Sequence, residues 1–523
     1  MKKVWKGAAA VVAALSLGVT GFVGASSAYA TVTDEGTVTF NNFVQGDEFT
    51  AYRILNIESE ATDEDGNKTY VYSVNADNKA AVIAGLNAVA AGTAANDIKD
   101  ADLIKKVVET LKTSDNVETF AKTFVKTAKA TGDPIKTNTG KVQQGYYLFD
   151  MTKTGENTGE ADKRTKSKYM VDTVGSAGAT FTLKNGTVTL EKKVKDNAGD
   201  PGNATDAQGK DLNADWNDSA DYAVGGTVPF KLTGTLPEQY DAYETYYYEF
   251  VDTLSTGLTF QNDIKVETNG KDITSCFDTT KGLTSIKAAN LKECSVADAN
   301  LGAGSEIVVT YTAKVNDNAV IGTEGNSNTA KLVFSNNPYS QGDGDKGTTP
   351  DDTVKVFTYK FQGTKTFSIT PNDNDLPKFT LTKGTGTADN WTADSTFAAR
   401  ELKVEKQADG SYTFNTERID AGTYKVEETY VPAGFNKASD VVFTITAVHD
   451  VTSDNPNVTV TVTGAQPIAT QNNSGAALTI NNNGGNKLPD TGGMGTVVLY
   501  TVGGLIVLIA GVGLAVALRR RQA

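Results

Sequence analysis

The chain has 523 residues, with 63 Asp and Glu against 49 Lys and Arg and a formal net charge of −14. That acidic balance excludes nucleic acid as a natural partner. Two cysteines and one histidine provide neither a disulfide scaffold nor a His-based metal centre.

Met1-Lys2-Lys3 precedes an apolar run from Ala8 to Val23 that closes on Ala28-Tyr29-Ala30. Charged start, apolar middle and small-x-small end predict a secretory signal over 1–30, cleaved after Ala30. In an exported protein disulfides persist, so Cys276 and Cys294 are candidates for a bridge.

Between the two ends the pattern is mainly β. Residues 31–186 open with "GTVTFNNF" and "EFTAYRIL", pass through helical stretches "NKAAVIAGLNAVAA" and "DADLIKKVVETLK", and return to strand with "GYYLFDM" and "ATFTL". Alternation before and after the helices predicts a sandwich with a helical insertion. Residues 187–350 are nearly all strand and end in the linker "NNPYSQGDGDKGTTPDDT"; residues 351–486 repeat the character with "FTYKFQGTKTF", "GTYKVEET" and "AALTINNN". Short alternating strands with frequent turn signals predict three tandem immunoglobulin-like β-sandwich modules. The lone His449 ends a strand before a polar turn and is expected to be exposed. It offers a Ser/His/Asp triad no second base to draw on.

Alternation also puts the wrong residues inside. In "TVTLEKKV" the inward parity runs Val188, Leu190, Lys192, Val194; in "YYYEFVDTL" it runs Tyr246, Tyr248, Phe250, Asp252, Leu254; in "NTAKLVF" it takes in Asn328. The third module repeats this with Lys365, Glu428 and Asn482. Buried unpaired charge costs several kcal/mol, so a lysine, an acid and an asparagine on one apolar face need a reason. A strand-end lysine that snorkels to solvent is one. The sharper one is a Lys–Asn isopeptide: desolvation leaves a lysine neutral and nucleophilic and a carboxyl protonated, and attack on the amide expels ammonia. Lys193, Asn326 and Asn481 are the neighbouring alternatives.

The chain ends with "KLPDTGG", an uncharged stretch from Thr496 to Leu518, and Arg519, Arg520 and Arg521. The stretch is long enough for a transmembrane helix with the arginines on the cytoplasmic side. Pro489 keeps the heptapeptide extended, and Gly492 leaves room beside the Thr491 carbonyl.

Leu488-Pro489-Asp490-Thr491-Gly492, with the apolar span and basic tail of 487–523, resembles the LPxTG sorting signal of Gram-positive wall proteins. The resemblance implies that a sortase cysteine attacks between Thr491 and Gly492, and that membrane anchoring is transient. "GTYKVEETYVPAGF" resembles the YxLxET box of collagen-adhesin B-type domains, with Glu428 as the isopeptide-promoting acid. The middle module is similar to the A-type arrangement, with Asp252 in that role. Signal, modules and sorting motif together resemble the backbone (major) pilins of sortase-assembled pili.

In that family the acceptor lysine lies in a WxxxVxVYPK-like motif. Lys184 takes its place, with Leu183 where Pro is usual and Thr182 where Tyr is usual. The resemblance implies a cell-wall, peptidoglycan-anchored structural subunit with no metal or cofactor, whose only chemistry is autocatalytic. Its implied partners are pilin-class and housekeeping sortases, identical subunits, peptidoglycan, minor pilins and host surface ligands. A monomeric wall-anchored adhesin shares every feature but the acceptor lysine.

Overall fold

The computed structural model describes residues 30–485, apart from 32–33, 63–67, 156–163, 198–202, 213–214, 340–343, 454 and 465–467. The signal segment, the sorting motif and the predicted membrane helix lie outside the described residues. Among the described residues no helix is long and apolar enough to cross a membrane.

In the first part of the chain, a five-stranded sheet is built on Glu48–Thr62 and Gly145–Lys153, which pair antiparallel. A three-stranded sheet is centred on Glu35–Asn41. Val38, Phe40, Phe49, Tyr147 and Phe149 fill the space between them. Helices α1 (Lys79–Val89), α2 (Asp100–Thr110) and α3 (Ser114–Phe124) pack on the other side of the larger sheet. Gly85 lets α1 approach α3, since a Cβ there would meet the Phe120 ring at 2.6 Å.

Two sheets of seven and six strands enclose the next core. Leu190–Lys195, Thr227–Thr235 and Glu306–Val315 are successive neighbours in the first of these. Tyr248–Leu254, Asn326–Ser335 and Asp352–Phe357 are successive neighbours in the second. Their inward faces carry Phe230, Leu232, Tyr248, Phe250, Leu332 and Phe334, all fully buried. Cys276 and Cys294 are joined in a disulfide that closes a loop of 18 residues beside this core.

The last core lies between a five-stranded sheet and a second seven-stranded sheet. In the five-stranded sheet the opening strand, Tyr359–Phe367, runs parallel to the closing one, Gly475–Asn482. Gly363 has no Cβ because the Phe414 ring occupies that place, 2.3 Å from where one would sit.

The sheets are tied across their junctions. Tyr169 stacks on Tyr339 with ring centroids 3.9 Å apart, and Lys166 pairs with Asp345 at 2.7 Å. Further along, Ala204–Asp206 leaves the middle segment to pair in parallel with the end of Val441–His449, an inner strand of the last seven-stranded sheet. Ser219–Asp221 pairs in parallel with Asp352–Phe357. His449, expected to be exposed, is therefore buried at 1 % exposure. Its Nδ1 lies 3.0 Å from Ser219 Oγ and its Nε2 3.4 Å from Asp221 Oδ2. The covering residues come from more than 200 positions earlier, which no local alternation could reveal.

Candidate isopeptide centres

Lys192 sits fully buried on Leu190–Lys195, whose alternation with Val188 and Val194 leaves it no route to solvent. The snorkelling reading is therefore excluded for this lysine. Its Nζ donates to Asp252 Oδ2 at 2.7 Å and to the Tyr311 hydroxyl at 3.1 Å. Asp252 and Asn328 lie on adjacent strands of the facing sheet, two rungs apart in register. Asn328 Nδ2 donates to the same Tyr311 hydroxyl at 2.6 Å. Lysine, acid and amide thus meet in a dry space between two sheets.

Burial pulls the Lys192 amine below its usual range, against the raising pull of Asp252. Asp252 Oδ1 and Asn328 Oδ1 are both buried without a hydrogen-bond partner. Two orphan oxygens are costly.

The second set uses another geometry. Lys365 and Asn482 lie on the parallel neighbours Tyr359–Phe367 and Gly475–Asn482, so they share one sheet. Glu428 reaches in from Gly422–Tyr430 in the facing sheet. All three are almost fully buried. Asn482 Nδ2 donates to Glu428 Oε1 at 2.6 Å, and the Ala438 amide donates to Glu428 Oε2 at 2.6 Å. Lys365 Nζ donates to the backbone oxygens of Thr366 and Ile480 at 2.6 and 3.2 Å. Burial lowers its pKa to about 8. Asn482 Oδ1, like Asn328 Oδ1, has no partner.

The alternatives lie elsewhere. Lys193 is directed at Asp218, 2.6 Å away. Asn326 uses its side-chain amide on the backbone of Val320 and Val356. Asn481 is exposed and donates to Asn483.

Lys184 follows Ala179–Thr182 and its side chain is exposed. Its backbone is braced: its amide donates to Ser167 Oγ at 3.2 Å, and its carbonyl accepts from Gln239 Nε2. Thr491 and the rest of the sorting motif lie outside the described residues.

Among the described residues no group of His, Cys, Asp and Glu has the arrangement of a metal site. Ser219, His449 and Asp221 do form a line, which the sequence reading did not foresee. All three are sealed from solvent, so a substrate has no approach. Tyr311 was also missed, because an aromatic on the inward parity reads as core.

Three segments match known families. Residues 224–338 match the Gram-positive pilin backbone subunit 2, Cna-B-like domain. Residues 367–464 match the prealbumin-like fold domain, and residues 480–523 match the LPXTG cell wall anchor motif. The middle match carries a B-like description, whereas the sequence resemblance was to the A-type arrangement. Together these matches support a pilus subunit of the Gram-positive backbone type that is anchored to the cell wall.

Among curated proteins it is similar to the trypsin-resistant surface T6 protein of Streptococcus pyogenes serotype M6, 28 % identical over 245 residues. That similarity covers 40 % of this chain and spans 43 % of the relative's length. Among solved structures it is similar in fold to the T6 backbone pilin of serotype M6 Streptococcus pyogenes, which has a modular three-domain structure. The TM-score is 0.51 at 16 % identity, covering 86 % of this chain and 98 % of that one.

Proposed function

We propose that this chain is a load-bearing shaft subunit, polymerised covalently by a sortase and stiffened by two internal Lys–Asn isopeptides. The observation that carries the proposal is the pair of buried lysine, acid and asparagine sets, one in each of the two modules between Lys184 and the sorting motif. In this reading a pilin-class sortase cleaves between Thr491 and Gly492 and transfers the threonyl group to Lys184 of the next subunit. A housekeeping sortase transfers the last subunit to peptidoglycan. The contact is head-to-tail and never closes, so it builds a filament.

Inside each module the lysine gives a proton to the nearby acid and becomes a neutral amine. Its nitrogen attacks the asparagine carbonyl carbon while the acid protonates the amide oxygen. The tetrahedral intermediate collapses as one proton on the lysine nitrogen passes to the old amide nitrogen, the carbon–nitrogen bond to that nitrogen breaks, and ammonia leaves. The acid recovers its proton as the carbonyl re-forms and ends the reaction in its protonated form. Asp252 serves the Lys192–Asn328 bond, and Glu428 serves the Lys365–Asn482 bond.

Two measurements test this. The intact ectodomain should weigh about 34 Da less than its composition, about 17 Da for each ammonia lost. Glu428→Ala should restore one of those decrements. Muramidase extracts of the cell surface should give an SDS-resistant ladder. An unmodified mass would remove the crosslinks, and a single band would leave a monomeric wall-anchored adhesin.

A further inference from the structure

The middle centre holds a fourth polar group that the crosslinking chemistry above does not use. Tyr311 stands on Glu306–Val315 and is 2 % exposed. Its ring packs on Phe230, with centroids 5.4 Å apart, and edge-on to Phe260 at 5.8 Å. The hydroxyl is in contact with each of the other three members. It accepts from Lys192 Nζ at 3.1 Å and from Asn328 Nδ2 at 2.6 Å, and it donates to Asp252 Oδ2 at 2.5 Å. One oxygen thus bridges the attacking nitrogen and the nitrogen that must leave.

We infer that Tyr311 is a catalytic residue of the middle crosslink, relaying a proton from Lys192 Nζ to the departing nitrogen of Asn328. The inference rests on reading this centre as one that forms an isopeptide.

The proton count requires such a path. After attack, Lys192 Nζ carries two hydrogens and a positive charge, while Asn328 Nδ2 carries two hydrogens and needs a third to leave as ammonia. Asp252 has given its proton to the amide oxygen, and it takes that proton back as the carbonyl re-forms. The remaining transfer is from Nζ to Nδ2. Within a four-membered geometry a direct transfer is strained. Through the hydroxyl, Nζ–H gives its proton to the tyrosine oxygen while the tyrosine O–H turns from Asp252 and gives its own to Nδ2. The C–Nδ2 bond breaks, ammonia departs, and Tyr311 ends as it began. Burial raises the phenol well above its ordinary range, so it passes a proton on without holding a charge.

The last module lacks this device. Among the described residues no hydroxyl bonds to Lys365, Glu428 or Asn482, and Asn482 Nδ2 is held by Glu428 directly. The second centre is therefore an internal control within the same molecule.

The test is Tyr311→Phe in the full ectodomain, made by short-pulse cell-free synthesis, quenched in acid and followed by intact mass and by mass of tryptic crosslinked peptides. Wild type should lose both ammonias. The variant should lose the ammonia of Lys365–Asn482 at the wild-type rate, and that of Lys192–Asn328 some 10²-fold more slowly or not at all, within the range for general acid–base catalysis. A packing role alone would lower thermal stability and leave that rate unchanged. If both losses keep pace with wild type, the relay is wrong. If wild type loses no ammonia, the crosslink reading itself has failed and takes the relay with it. Should the variant fail to fold, wild-type synthesis in D2O replaces it. A relay in which two protons move should slow the middle crosslink at least two-fold relative to H2O, and equal rates would overturn it.

Discussion

Replacing Lys192 by methionine separates what the crosslink contributes from what the buried charge costs. A bond from Lys192 to Asn328 closes a loop of about 136 residues, and loop-closure entropy assigns that closure ~5 kcal/mol. Methionine keeps much of the lysine's length, and the Asp252 carboxyl left behind still accepts from the Tyr311 hydroxyl. As an acid without a cation in an apolar site, that carboxyl is neutral rather than charged, so the lost closure dominates. Lys192→Met should therefore lower the melting temperature of this module by about 10–20 °C, at 2–4 °C per kcal/mol for a domain of this size. Asp252→Ala loses the same bond and also strands Lys192, whose Nζ would keep only Tyr311 as a side-chain partner. Stranding a buried charge costs ~3–5 kcal/mol more, roughly another 6–20 °C. Calorimetry of the intact ectodomain, beside its mass, reads both. The expected order is wild type, then Lys192→Met, then Asp252→Ala, with one ammonia regained in each variant. A Lys192→Met protein that melts with wild type, or an Asp252→Ala protein no less stable than Lys192→Met, would refute the reasoning.

Lys184→Ala should abolish the high-mass ladder on immunoblots of wall extracts while the single subunit remains secreted and wall-attached; a persisting ladder would move the acceptor to another lysine. The double change Cys276→Ser and Cys294→Ser opens a loop of 18 residues. By the same entropy argument it should destabilise by ~3 kcal/mol in calorimetry without changing either ammonia loss. Asp196→Asn should stabilise the joint between the last two modules at pH 8 and do little at pH 3. Burial, then the charges of Asp221 and Asp420, holds the Asp196 carboxyl well above its ordinary value of 3.8. Its stability contribution is thus fully present below that value and is lost as pH rises through the folded pKa. Melting temperatures across that range that show the gain at acid pH instead would reverse the assignment.

Much of this arrangement was legible in the sequence because strand parity is strict. Once Val188 and Val194 are placed inside, Lys192 must follow, and the same counting places Asp252, Asn328, Lys365, Glu428 and Asn482 in their cores. Parity fails where burial comes from elsewhere in the chain. His449 is covered by Ser219 and Asp221 across a module boundary, and nothing within ten residues of it signals that. Tyr311 fails for another reason. Its ring satisfies the pattern as any core aromatic does, and only the meeting of three strands shows what its hydroxyl touches. The brace on Lys184 is of the first kind, since Gln239 lies 55 residues on.

The strand exchange at the second junction bears on how such a protein can diversify. Ala204–Asp206 extends the last module's sheet, and Asp352–Phe357, which begins on the final residues of the linker, completes the middle one's. Each of the two units therefore carries a piece of sequence that its neighbour needs. Recombination that swaps one of them at the linker would leave an open sheet edge on both products, and exposed edges invite aggregation. The two should be inherited, and expressed as fragments, as a single cassette from about residue 187 to 485, whereas the first module meets its neighbour mainly through side chains and a loop, and is the part free to vary.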